Sequence, residues 1–174
     1  YILNALDSEI LYELFSAMGE QRLVTFTARG QRITALPCKI YIGTQTGRQY
    51  LLAWSLASGH FFFCRADLMD KVKAEERFEY PAEFKSRLDD FCSHTWGVTG
   101  NSNHHLDHLE MTVLVGPNDE HIVERLLREK RCGRVEQLED GQWRFMADVY
   151  DALEMLPWLR TFTGRVTDLQ CTDP

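Results

Sequence analysis

The stretch RQYLLAWSLASGHFFFCR, running from Arg48 to Arg65, reads as two strand-forming runs joined by a tight turn. Arg48 to Ala57 carries Tyr50, Leu51, Leu52 and Trp54, and His60 to Arg65 carries three consecutive phenylalanines; such residues suit a pleated, half-buried surface. Ser58-Gly59 supplies the turn. Upstream, Arg32 to Ile42 is a further extended run in which Pro37 marks an edge or a bulge, because proline lacks the donor that a strand ladder needs. Leu23 to Thr27 is another run, closed by Arg29-Gly30, and Gly43 to Gly47 is a polar turn. Downstream, Lys71 to Glu75 makes a fifth short strand. Ahead of them all, Asp7-Ser8-Glu9 offers a cap for a helix from about Ile10 to Gln21, with Ile10, Leu11, Leu14, Phe15 and Met18 on one face. One helix and five short strands with tight turns predict a small closed or nearly closed β-barrel.

A different pattern fills the second half. Pro81 opens a helix to about Cys92, and Gly100 to His105 is a polar linker. Leu109 to Val115 reads as a strand, Asn118-Asp119 as the cap of a helix to about Arg131, and Arg134 to Leu138 with Trp143 to Val149 as a hairpin about Asp140-Gly141. Asp151 then caps a helix to about Phe162, interrupted by Pro157, and Val166 to Gln170 is a closing strand. The order β-α-β-β-α-β is that of a ferredoxin-like split unit. The chain is therefore expected to be α+β, with boundaries at 1–80 for the helix and barrel, 81–106 for a helix and linker, and 107–174 for the ferredoxin-like part.

Charge separates the same halves. The formal charge is −7, yet residues 1–80 hold nine basic and nine acidic side chains, whereas residues 81–174 hold ten and seventeen. The acidic second half is a poor nucleic-acid surface. Between Glu20 and Asp67 there is no acidic residue, but Arg22, Arg29, Arg32, Lys39, Arg48 and Arg65 fall there, interleaved with aromatics. Unopposed cations beside flat rings suit an anion with stackable parts, such as a nucleotide or a single strand. No run of 18 apolar residues occurs, so no membrane-spanning helix is expected. The five cysteines are odd in number and form no C-x-x-C, which points to reduced, small buried thiols and a cytoplasmic location. The chain opens on Tyr1 with no secretory pattern, so a preceding segment is expected.

Gly47-Arg48-Gln49-Tyr50-Leu51-Leu52-Ala53, followed by Phe63-Cys64-Arg65-Ala66-Asp67-Leu68-Met69, resembles the WYL domain of bacterial transcriptional regulators. Leu156-Pro157-Trp158-Leu159-Arg160-Thr161-Phe162 resembles the C-terminal extension that often follows it. Gln49 stands where the family name places Trp, and Leu68 and Phe62 stand where arginines are common. The resemblance implies an SH3/Sm-like barrel, then the ferredoxin-like extension. It implies the effector-sensing, dimerising region of a regulator that reaches operator DNA through a separate N-terminal winged helix, which this sequence does not contain.

On this reading Tyr50 and Arg65 are the candidate centre of a ligand site, with Arg48 and Lys39 assisting. A guanidinium can grip phosphate through two parallel hydrogen bonds. The competing roles are a core tyrosine for Tyr50, an ion pair with Asp67 or another carboxylate for Arg65, and simple solvation for Arg48 and Lys39. At least one face of the Phe61-Phe62-Phe63 run is expected in the core. His94, His104, His105 and His108 lack a zinc-protease arrangement, and Cys92 with His94 lacks a third group, so no metal, cofactor or enzyme activity is expected. A protein-interaction or oligomerisation module with no small ligand is the alternative.

Overall fold

In the computed structural model, which describes residues 8–43, 47–100 and 105–172, strand β1 (Arg22–Ala28) is the organising element of the first half. It lies between β2 (Gln31–Ile42) and β5 (Met69–Arg77), and β3 (Gln49–Ser55) and β4 (Phe61–Arg65) continue the sheet beyond β2. All neighbours are antiparallel, in the order β4-β3-β2-β1-β5. Of the closed or nearly closed barrel expected, full closure is not seen: β4 and β5 are the two end strands, and among the described residues no pairing joins them. Helix α1 (Ser8–Gly19) packs on β1, β2 and β5. The predicted cap residue Asp7 lies outside the described residues.

Alternation explains this packing. Val24, Phe26 and Ala28 of β1, Ala35 of β2, and Leu51 and Ala53 of β3 face one side, where they meet Leu14 and Ala17 of α1 and Met69. Burying a side chain the size of Leu14 or Phe26 contributes about 1.5–3 kcal/mol. Pro37 lies in an interior strand, not at an edge. The β2–β3 register slips between Pro37 and Lys39, so Cys38 is the extra residue of a bulge. Arg29 (φ 49) and Gly30 (φ 77) are both left-handed, as a two-residue hairpin turn requires.

The chain divides into two compact units, residues 1–87 and 88–174, and the division falls within α2 (Phe84–Ser93). Most of the expected linker, residues 101–104, lies outside the described residues. The second unit carries β6 (Asp107–Leu114), α3 (Glu120–Glu129), β7 (Arg134–Gln137), β8 (Gln142–Val149), α4 (Leu156–Leu159) and β9 (Val166–Thr172). Its antiparallel sheet runs β7-β8-β6-β9. The long helix expected after Asp151 is broken: a 3-10 turn (Ala152–Met155), the four residues of α4 and a second 3-10 turn (Arg160–Phe162) replace it. Pro157 enters that series in the first turn of α4, where its missing N–H is harmless. Asp151 does cap it, accepting the Leu153 amide at 2.9 Å.

The core of this unit is a ring cluster. Phe145 lies 4.9 Å from Trp158 and 6.0 Å from Trp96, and Trp158 lies 5.0 Å from Phe162. Phe145 and Phe162 are fully buried. The Trp158 indole N–H donates to Glu129 at 2.9 Å, so this large, half-buried ring packs without an orphaned donor. Gly133 makes the packing possible, because a Cβ there would stand 2.2 Å from the Phe145 ring. Phe145→Ala is expected to lower the unfolding free energy by about 3–5 kcal/mol in urea titrations followed by circular dichroism, whereas exposed Leu153→Ala changes it by under about 0.5 kcal/mol. Equal effects at the two positions would contradict this account of the core.

Candidate functional site

Register places the predicted residues. Tyr50 pairs with Tyr41 of β2 on one side and with Arg65 of β4 on the other, so the three stand in one row across three strands. Two residues along, Lys39, Leu52 and Phe63 form the next row on the same face. Arg48 stands just ahead of β3, two positions before Tyr50, and its carbonyl accepts the Gly43 amide at 2.8 Å across the turn. The opposite face presents Ile40, Leu51 and Cys64 to the core under α1. Tyr50, Arg65, Arg48 and Lys39 thus belong to the side of the sheet away from that helix.

The far end of this face is aromatic. Leu36, Trp54 and Phe61 form a third row, with Trp54 and Phe61 at 4.7 Å. Phe84 closes over them at 5.9 and 5.7 Å, Tyr80 stacks on Phe84 at 4.9 Å, and the Arg87 guanidinium lies 4.3 Å above the Trp54 ring. Tyr41 and Phe63 meet edge to face at 5.2 Å between the two ends. The surface therefore grades from a covered aromatic cluster to a charged row. Phe62 packs on the core below, so the phenylalanine run is divided between the two faces.

Arg65 is engaged. Its Nε donates to Asp67 Oδ1 at 2.9 Å and its Nη2 to Oδ2 at 2.6 Å, two parallel bonds from one guanidinium edge to one carboxylate. Both side chains are partly open to solvent, 30% and 21%. The Asp67 hydrogen bond pushes Arg65 above its usual range, and Tyr50 acts on it in the same direction. The reciprocal bond from Arg65 holds Asp67 below the usual carboxylate range against the opposing effect of burial, and Arg48 adds to the depression. Asp67 therefore sits in the field of both Arg65 and Arg48, with Arg65 the guanidinium bonded to it. Pairs this exposed contribute about 0.2–1 kcal/mol each.

The remaining cations of the acid-free block stand apart from the Tyr50–Arg65 row. Arg22 donates to the Glu75 carbonyl at 2.6 Å and lies 3.4 Å from Glu20, and Arg29 and Arg32 flank the β1–β2 turn. Tyr41 was not singled out by the sequence reading; only the register, with one residue bulged at Cys38, brings it beside Tyr50. A groove of about 610 Å3 runs between α1 and the start of β5, lined among others by Tyr12, Glu13, Met69 and Lys71, and contains none of the four candidate residues.

The histidines divide likewise. His104 lies outside the described residues, and His94 Nδ1 lies 2.9 Å from the Asp148 carbonyl oxygen. No group of three His, Cys, Asp or Glu side chains placed to hold a metal occurs among the described residues. Cys38, Cys64, Cys92 and Cys132 are half-buried, but Cys171 is exposed, against the expectation of burial. Burial pushes the Cys64 and Cys132 thiols up. His108 was missed as a structural group: its Nδ1 lies 2.6 Å from Asp148 Oδ1 and its Nε2 3.1 Å from Glu110 Oε1.

No protein-family model matches this chain, and no curated protein sequence does. Among solved structures it is similar to proteasome accessory factor B/C of Arthrobacter aurescens, at 14% identity and a TM-score of 0.41, over 96% of this chain and 25% of that one. It is also similar to a CRISPR Cas-related protein, at 13% identity and a TM-score of 0.51, over 95% of this chain and 46% of that one. The first likeness is too loose to carry an argument, and the second shows a shared fold alone. The chain spans a quarter and just under half of the lengths of these two proteins.

The Asp148 and Glu110 carboxylates raise the His108 pKa above its ordinary value near 6.5. A raised histidine stabilises the fold fully below the unfolded-state value, and its contribution disappears as pH rises through the folded-state value. The side chain is 39% exposed, so solvent damps the effect. The urea midpoint of wild type is expected to exceed that of His108→Gln at pH 6, with the gap narrowing by pH 8.5. A gap independent of pH would refute the assignment.

Proposed function

We propose that this chain is the effector-sensing region of a bacterial transcriptional regulator related to the WYL family. The first unit is read as an SH3/Sm-like barrel and the second as a ferredoxin-like extension. The strand orders support both: β4-β3-β2-β1-β5 suits the first, and β7-β8-β6-β9 with helical segments in both crossovers suits the second. The ligand is an anionic nucleotide or single strand, bound on the β2-β3-β4 face by Tyr50 and Arg65 with Arg48 and Lys39 assisting. The protein acts as a cytoplasmic homodimer, reaches operator DNA through a domain outside this chain, and performs no catalysis. The observation that carries the reading is the Tyr41–Tyr50–Arg65 row, where an arginine edge already holds two oxygens of one anion beside two phenol rings.

A labelled thymidine oligonucleotide titrated by fluorescence anisotropy tests it. Arg65→Ala is expected to weaken binding about tenfold and to lower the salt slope by about one, and Tyr50→Phe to weaken it by less. Affinity and salt slope unchanged in both variants would discard the site. The second reading, an interaction or oligomerisation module, draws on the same pair: Arg65 is already matched by Asp67. It predicts a concentration-dependent dimer whose melting temperature no nucleotide or single strand shifts.

A further inference from the structure

We infer that Asp67 is an internal occupant of the anion position at Arg65, and that the site is gated by displacement of this carboxylate by a terminal phosphate. The inference rests on the Arg65 reading above and deepens it. A guanidinium edge offers two parallel N–H donors, and here both go to the two oxygens of Asp67, at 2.9 and 2.6 Å. A phosphoryl group presents two oxygens to the same edge. It therefore cannot take the Nε–Nη2 edge of Arg65 until Asp67 has left.

Charge selects the class of ligand. Asp67 brings one negative charge to a locus that holds Arg65 and lies within the field of Arg48. An internal phosphodiester also brings one, and so gains nothing over the carboxylate it replaces. A phosphomonoester brings about −1.5 to −2 at neutral pH and offers three acceptor oxygens. The gate therefore favours a mononucleotide or a 5′-phosphorylated strand end over the interior of a nucleic-acid backbone.

The position of Asp67 gives its release a destination. It lies in the 3-10 turn Ala66–Leu68 that joins β4 to β5. Ala66 before it is buried, and Met69 after it is buried against the core that Leu14 and Ala17 of α1 complete. A carboxylate leaving Arg65 therefore pulls on a turn anchored in the core at both ends, one strand away from α1.

The test compares two 3′-labelled thymidine oligonucleotides, one with a 5′-phosphate and one with a 5′-hydroxyl. Each is titrated by anisotropy against wild type, Asp67→Asn, Arg65→Ala and the double variant. Asparagine keeps the shape and removes the charge; Asp67→Ser, which removes both oxygens, must act in the same direction, and thermal melts confirm that the variants are folded. Wild type is expected to prefer the 5′-phosphate, Asp67→Asn to bind it about three- to tenfold more tightly, and Arg65→Ala to abolish the preference in either background. If Arg65→Ala weakens binding but neither Asp67 variant tightens it, the gate is overturned and the binding site stands. If the Asp67 variants tighten both oligonucleotides equally, the terminal-phosphate class is overturned. If Arg65→Ala binds like wild type, the underlying site itself fails.

Discussion

The register of β2, β3 and β4 is the constraint on which the first unit depends. Strand β3 is buried on both faces: Leu51, Leu52 and Ala53 all have no solvent exposure. Leu51 and Ala53 must lie under α1, and Leu52 and Trp54 must then face away from it. A slip of one residue would exchange these sets and carry Tyr50 beneath the helix with them. The row that holds Tyr41, Tyr50 and Arg65 is thus fixed by hydrophobic residues that take no part in it. The bulge at Cys38 belongs to the same constraint, since the register steps there from Pro37–Ala53 to Lys39–Leu52 and so sets Tyr41 opposite Tyr50.

Much of this was legible in the sequence because its signals are local. Turns with left-handed residues, Arg29-Gly30 and Asp140-Gly141, lie where the chain must reverse, and the alternation of β3 and β4 is plain in the residues themselves. Closure of the first sheet was not legible, because pairing between its end strands is a long-range event that no short motif encodes. Pro37 signalled an irregularity but not whether it lay at an edge or in an interior bulge, since either removes the need for its N–H. The helix expected after Asp151 had the right cap, yet regular helix is confined to the four residues of α4 between two 3-10 turns, with Pro157 in its first turn. At the candidate site the pairing of Arg65 with Asp67 was readable from their spacing across a short turn. The alignment of Tyr41 with Tyr50 depends on a one-residue bulge and was not. Counting cations located a block but could not say which face each would join; Arg22, engaged with the Glu75 carbonyl, shows why.

The acidic excess of the second half has a structural use that composition alone does not reveal. Glu154 accepts the amides of Gly97 and Val98 at 3.0 and 2.9 Å, and Asp107 accepts that of Ala152 at 2.8 Å. Asp119 receives Arg165 through two bonds, and Asp148 with Glu110 brackets His108. Burial works to raise Glu129, but the combined bonds from Arg128, Trp158 and Arg125 hold it below the usual carboxylate range. These carboxylates fasten loops and helices to the sheet, so a negative surface follows from how the unit is held together, whatever it binds.

Trp54 has an optical consequence. The other three tryptophans, Trp96, Trp143 and Trp158, all lie in residues 88–174, so the first unit carries a single indole. That indole shares its sheet face with Tyr50 and Arg65, and a guanidinium lies over its ring. With the other three replaced by phenylalanine, its emission would report the environment of that face alone.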